Sequence, residues 1–188
     1  MVSLSKFAAV AAIVISSATV AGAQSVTSAT KPFSLGLSGG ASIPTGDLSN
    51  SVNTGYNIGG HVGLGSPAIP IGFRGDVNYD NFGAKGSGNA NAHVWSYTAN
   101  AVYDIPTMTG IRPYVIGGIG GFKPGVSTSS GGSTYSASSG TKFGFDLGGG
   151  LTIPLSGFNA FVEARYNHFN NDGGGSTSFV PITFGVMF

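Results

Sequence analysis

The sequence predicts an all-β chain, an eight-stranded, antiparallel, up-and-down barrel that crosses a membrane with its strands. Three observations carry this reading. Segments of about ten residues alternate apolar with small or polar residues, the period of a strand with one face in lipid. Only 8% of residues are charged, where a soluble domain carries about a quarter. Beyond the N-terminal region no continuous apolar run reaches the ~20 residues that a spanning helix needs.

The first residues read as a signal, not as part of the fold. Lys6 is followed by the apolar run Phe7 to Ile15 and then by Ala21-Gly22-Ala23, a small-residue cleavage site. The expected division is therefore a signal peptide over 1–23, a polar leader over 24–32 and a β-barrel domain over 33–188.

Strand one sets Phe33, Leu35, Leu37, Ala41 and Ile43 on one face, and Pro44-Thr45-Gly46-Asp47 ends it. Strand two carries Tyr56, Ile58, Val62 and Leu64 against Asn57 and His61. Strand three sets Ile71, Phe73, Val77 and Tyr79 against Arg74, Asp76, Asn78 and Asp80. A loop is expected from Asn81 to about Ala92.

Strand four turns Trp95, Tyr97, Ala99, Ala101 and Tyr103 outward. Strand five, from Arg112 to Phe122, alternates less clearly; Tyr114, Ile116 and Phe122 share one face, Val115 and Ile119 the other. A long Ser/Gly loop is expected from Lys123 to Thr141, with Tyr135 as a bulky side chain inside it. Strand six turns Phe143, Phe145, Leu147, Leu151 and Ile153 outward. Strand seven sets Phe158, Ala160, Val162, Ala164 and Tyr166 against Phe161, Glu163 and Arg165. The closing strand sets Val180, Ile182, Phe184, Val186 and Phe188 on one face.

Long and short connections alternate along this series, as an up-and-down barrel with outer loops and periplasmic turns requires. Aromatic residues gather near both strand ends. Tyr56, Tyr79, Trp95, Tyr97, Phe122 and Tyr166 are expected in an outer girdle, Tyr103 and Tyr114 in a periplasmic one. Arg74, Asp76, Asp146, Glu163 and Arg165 all map to inward positions. A charge on the lipid face costs about 2–4 kcal/mol at the bilayer midplane, so this segregation is itself a barrel signature.

The chain resembles the eight-stranded outer-membrane β-barrel family, of the OmpA/OmpX kind, including porin-like barrel domains. The resemblance rests on Pro44-Thr45-Gly46-Asp47, Arg112-Pro113-Tyr114, Phe161 to Tyr166 and the terminal Phe188. It implies an outer-membrane location and partners among outer-membrane lipids, lipopolysaccharide and the barrel assembly machinery. It also implies that the last strand, with Phe184, Val186 and Phe188, is an assembly signal. The outer loops offer a surface for an extracellular partner.

Composition narrows the chemistry. There is no Cys, so neither a disulfide framework nor a thiolate metal site is available. Seven basic and seven acidic residues remain after residue 23, so no basic patch points to nucleic acid. Gly117-Gly118-Ile119-Gly120-Gly121 and Gly148-Gly149-Gly150 lack the following helix of a phosphate loop. Asp172 beside Gly173 offers too few oxygens for calcium. No cofactor or metal is assigned.

The inward charges are the leading candidate site. Strands three and seven lie opposite each other in an eight-stranded barrel, so Arg74 and Asp76 should pair with Glu163 and Arg165 across the interior. A side-chain-filled structural interior with a surface-interaction role is the first reading, a non-enzymatic one. A narrow gated solute channel is the alternative. An outer-leaflet lipid-modifying enzyme ranks third. His93 and His168 lie at the rim, with Ser96, Asp80 and Asp172 as conceivable partners, but His168-Phe169-Asn170 departs from the His-x-Ser motif of lipid A deacylases.

Overall fold

The computed structural model describes residues 33–66, 69–86, 90–108, 110–130, 133–172 and 174–188. The expected signal peptide and polar leader lie outside the described residues. The elements are β1 (Phe33–Thr45), α1 (Leu48–Ser51), β2 (Gly55–Ser66), β3 (Ile69–Gly83), β4 (Ala90–Asp104) and β5 (Arg112–Ser130). They continue with β6 (Ser133–Ser138), β7 (Lys142–Leu155), β8 (Phe158–Asn170) and β9 (Ser176–Met187).

All pairings are antiparallel, and the ring closes on itself. β1 pairs with both β2 and β9, while β4 meets β5 and β5 meets β7. Eight strands form the wall, and β6 folds back only on the outer part of β5. Closure leaves the wall no unpaired edge, the condition for placing sheet backbone in lipid.

The alternation read from the sequence appears as burial. Along β4, Trp95, Tyr97, Ala99, Ala101 and Tyr103 are exposed, while Val94, Ser96, Thr98 and Asn100 are buried. Leu64, Phe73, Leu147 and Phe184 are each more than half exposed in the isolated chain, because their environment is the membrane. Inward glycines allow the tight curvature. A Cβ on Gly40 would stand 2.0 Å from the carbonyl oxygen of Ile182 on the neighbouring strand.

The strands outrun their expected ends. Asn81 to Gly83 and Ala90 to Ala92 belong to β3 and β4, and their register continues to Gly83↔Asn91. Much of the expected loop from Lys123 to Thr141 is likewise strand, an extended β5–β6 hairpin in register from Gly125↔Ser138 to Ser130↔Ser133. Gly is a poor β former and Ser-rich runs read as turns, but pairing and neighbouring strands override that weak preference. The backbone of Tyr135 pairs with Thr128; its side chain lies outside the described residues.

The alternation of connection lengths is therefore weaker than expected. The β4–β5 turn occupies 105–111, while the outer β3–β4 connection is only 84–89. The β7–β8 turn is tight, at Ser156 and Gly157, and Gly157 takes a positive φ of 93°. The expected loop after β1 contains α1, and Val52 behind it forms a bridge to Ala84.

Candidate functional site

The interior is stacked in layers. At the centre, β3 and β8 face each other and supply alternating inward residues two apart, Arg74 and Asp76 against Glu163 and Arg165. Arg74 donates from Nη2 to both Glu163 carboxylate oxygens at 2.8 and 2.9 Å. Its Nε donates to Asp76 Oδ1 at 2.9 Å. Arg165 donates from Nη1 to Asp76 Oδ2 at 2.8 Å and from Nη2 to Glu163 Oε1 at 2.5 Å. Two guanidiniums and two carboxylates thus form a closed square across the lumen, all buried.

Further groups complete it. Asn100 donates to Asp76 Oδ2 at 2.8 Å, and Tyr114 donates to Glu163 Oε2 at 2.7 Å. His61 Nδ1 lies 2.7 Å from Asp76 Oδ1, and its Nε2 lies 2.6 Å from Ser38 Oγ. Asp146 on β7 reaches Arg165 at 3.5 Å. Its other carboxylate oxygen is buried without a hydrogen-bond partner among the described residues. Arg74 also stands 5.8 Å from the centre of the Phe161 ring. Planar guanidinium forks suit this job, because each binds two carboxylates at fixed angles.

Tyr114 corrects the sequence reading. Expected in the periplasmic girdle, it is 4% exposed and points inward to Glu163. Phe122, expected in the outer girdle, is fully buried against Phe169. On the membrane part of β5 it is Val115 and Ile119, on the opposite parity, that are exposed. Glycines on both faces of this strand removed the hydrophobicity contrast that fixes the lipid side elsewhere. Tyr114→Phe is expected to destabilise the barrel by about 1.5–3 kcal/mol, the value of a hydrogen bond to a charged group. Urea unfolding followed by gel mobility measures this, and a loss near zero would show that Glu163 does not need the hydroxyl.

The other girdle candidates are on the outer wall. Tyr56, Trp95, Tyr97, Tyr103 and Tyr166 are exposed. Tyr79 lies 6.4 Å from Tyr56 and 4.9 Å from Trp95, ring centre to ring centre. At the turn end, Phe158 and Phe188 stand 5.9 Å apart. Phe184 is exposed and Val186 shares its face, while Phe188 exchanges backbone hydrogen bonds with Leu35.

Above the charge square lies a layer of small polar groups. Ser42 donates to Asp80, Asn57 donates to Ser42 Oγ at 3.1 Å, and Thr183 donates to Asn57 at 3.3 Å. The void between this layer and the square is about 10 Å³, room for about one water. Higher still is an apolar plug that sequence reasoning missed. Val52, Phe82, Val94, Phe122, Phe169 and Phe179 are buried together inside the outer mouth, with Leu48 of α1 packed on them. Phe82 and Phe179 meet edge to face at 5.6 Å, and Phe122 stacks on Phe169 at 5.1 Å. The signal was present: Phe82, Phe122, Phe169 and Phe179 all fall on the inward parity of their strands.

Below the square a cavity of about 150 Å³ opens toward the turn end, lined by Arg74, Asp104, Arg112 and Tyr114 among others. The conceivable histidine partners at the outer rim are not brought together. Asp80 is buried with Ser42, Ser96 points inward, and Asp172 binds Lys142. His168 Nδ1 instead meets Ser178 Oγ at 2.9 Å, and the Tyr166 hydroxyl donates to the same Ser178 Oγ at 2.9 Å. No carboxylate is bonded to that ring among the described residues, so the third member of a nucleophile–base–orienter set is missing. The described residues contain no group of three or more His, Cys, Asp or Glu side chains able to hold a metal ion.

A closed antiparallel barrel, apolar outside and charged inside, defines the class of membrane-spanning β-barrels. The chain belongs to the outer membrane protein beta-barrel domain family, whose model matches residues 7–188. Membership places it among outer-membrane proteins. Its fold is similar to that of Neisserial surface protein A (17% identity, 84% of this chain and 96% of that one, TM-score 0.65). It is also similar to a major outer membrane protein from Thermus thermophilus (11% identity, 83% and 98% covered, TM-score 0.54). A further match is Ail, the attachment invasion locus protein of Yersinia pestis (21% identity, 83% and 97% covered, TM-score 0.49). No curated protein matches the sequence.

Proposed function

We propose that the chain is a non-enzymatic outer-membrane barrel whose interior is a structural brace and whose outer strand extensions carry a surface-interaction role. One observation supports this most. The Arg74–Glu163 and Arg165–Asp76 bridges cross the whole lumen at 2.8 Å each, and the apolar plug closes the outer mouth above them. A lumen blocked twice is suited to holding a platform rigid. The extended β5–β6 hairpin, with Ser127 and Ser136 hydrogen-bonded across it at 3.1 Å, stands on that platform. A structural relative is named a surface protein. Replacing 125–138 by a short turn should leave folding intact and abolish adhesion of expressing cells to the surfaces they bind. Unchanged adhesion would refute the hairpin's role.

A narrow gated channel is the second reading, and Asp146 favours it. Arg165 contacts three carboxylates, of which Asp146 is the most weakly held, so a second pairing is at hand. Planar-bilayer recording of wild type and Glu163→Gln separates the two readings. The brace predicts closed traces for both, whereas discrete openings that appear or multiply in the variant would establish a gate.

A further inference from the structure

The outer wall is not uniformly convex. Across β1 to β5 it carries a furrow of about 960 Å³ within the lipid-facing belt. Its floor is Gly60, between Leu37 and Val77 in register, and Gly75, between Val62 and Ala99. A Cβ on either glycine would meet nothing within 4 Å. These glycines therefore relieve no clash; they leave open space. Rows of residues in register run across the strands, and spanning strands tilt by about 45°. The furrow thus climbs obliquely through the hydrocarbon layer, and Tyr97 lines its outer part.

Two residues nearer the loops, Trp95 pairs with Lys123. Lys123 is exposed, and it has no hydrogen-bond or ion-pair partner among the described residues. The other described lysines are engaged: Lys85 donates to the Ser49 carbonyl at 2.5 Å, and Lys142 binds Asp172. A free ammonium beside an aromatic girdle, above an apolar furrow, matches the two ends of one kind of molecule.

We propose that this face binds a membrane phospholipid of net negative charge, with one acyl chain in the Gly60–Gly75 furrow and its anionic headgroup on Lys123. The furrow is continuous with the lipid-facing surface, and the cation two residues beyond its outer part complements an anionic headgroup. A second copy of the chain fits less well. Two concave strips facing each other enclose a void, and in lipid there is no hydrophobic gain to offset it.

Native mass spectrometry of the folded chain from micelles containing phosphatidylglycerol or phosphatidylcholine tests this, with folding of every variant checked by gel mobility before and after heating. Wild type should retain one phosphatidylglycerol, at about fivefold the occupancy of phosphatidylcholine. Lys123→Gln should level the two lipids, while Lys123→Arg keeps the preference. The Gly60→Leu/Gly75→Leu double variant, for which the backbone has room, should lose both adducts. Equal retention of the two lipids by wild type, or retention unaffected by filling the furrow, would overturn the proposal. So would displacement of the lipid by inorganic phosphate at matched ionic strength.

Discussion

Arg165→Ala should destabilise the folded barrel by about 3–5 kcal/mol, the cost of removing one partner from a buried ion pair. The size follows from what is left behind. Arg165 donates to Asp76, Glu163 and Asp146. Without it, three buried carboxylates face the single guanidinium of Arg74, which already serves Asp76 and Glu163. Solvent gives little relief from above, where the void is about 10 Å³; the cavity of about 150 Å³ below lies against Arg74 and Tyr114 and is not lined by Arg165 or Asp146. Arg165→Lys should recover only part of the loss, since a point charge cannot span three carboxylates as a planar fork does. Asp76→Asn combined with Arg165→Ala should cost less than the two single changes added together, the mark of a direct interaction. Urea titration, read by gel mobility and by the fluorescence of Trp95, supplies each value. A loss below about 1 kcal/mol for Arg165→Ala would put the square in the same class as a surface ion pair and remove the brace from the proposed function.

This square was legible in the sequence because strand parity is a strict rule. Period-two alternation fixes which residues enter the lumen, and eight strands in sequence fix which strands face each other. Arg74, Asp76, Glu163 and Arg165 follow from those two facts alone. Tyr114 did not follow, because β5 alternates glycine with apolar residues on both faces and an aromatic ring is at home in a girdle or in a core. The extended hairpin escaped for a related reason. Its Ser, Thr and Gly composition reads as loop, and only the continued registers of β4 and β5 pull it into the sheet. Parity alone puts His61 inward, but its bridge from Ser38 to Asp76 depends on the β1–β2–β3 register, which the sequence leaves open. The apolar plug shows a limit of the simple rule of apolar outside and polar inside. That rule applies where lipid surrounds the wall. Beyond the membrane the strands stand in water, and apolar residues turn inward as in any soluble core.

Phe179→Ala, inside that plug, is the second large effect expected, a loss of about 3–5 kcal/mol. Phe179 is fully buried on β9, with its ring edge to face on Phe82 of β3. Those two strands are not neighbours in the wall, since β1 and β2 lie between them. The aromatic pair is therefore a bridge across the mouth, not a contact along the sheet. Removing one ring leaves a cavity that the paired backbone of a closed barrel cannot collapse to fill, so the cost should lie toward the upper end of that range. Phe82→Ala should cost a similar amount, and the double variant less than the sum, because each single change already destroys the shared contact. The conductance consequence separates plug from brace. With the plug opened and the charge square intact, the brace reading expects bilayer traces to stay closed; adding Arg165→Ala removes the second barrier and should admit small ions. If Phe179→Ala alone conducts, the plug is the only seal, and the charge square must then leave a path for ions beside it.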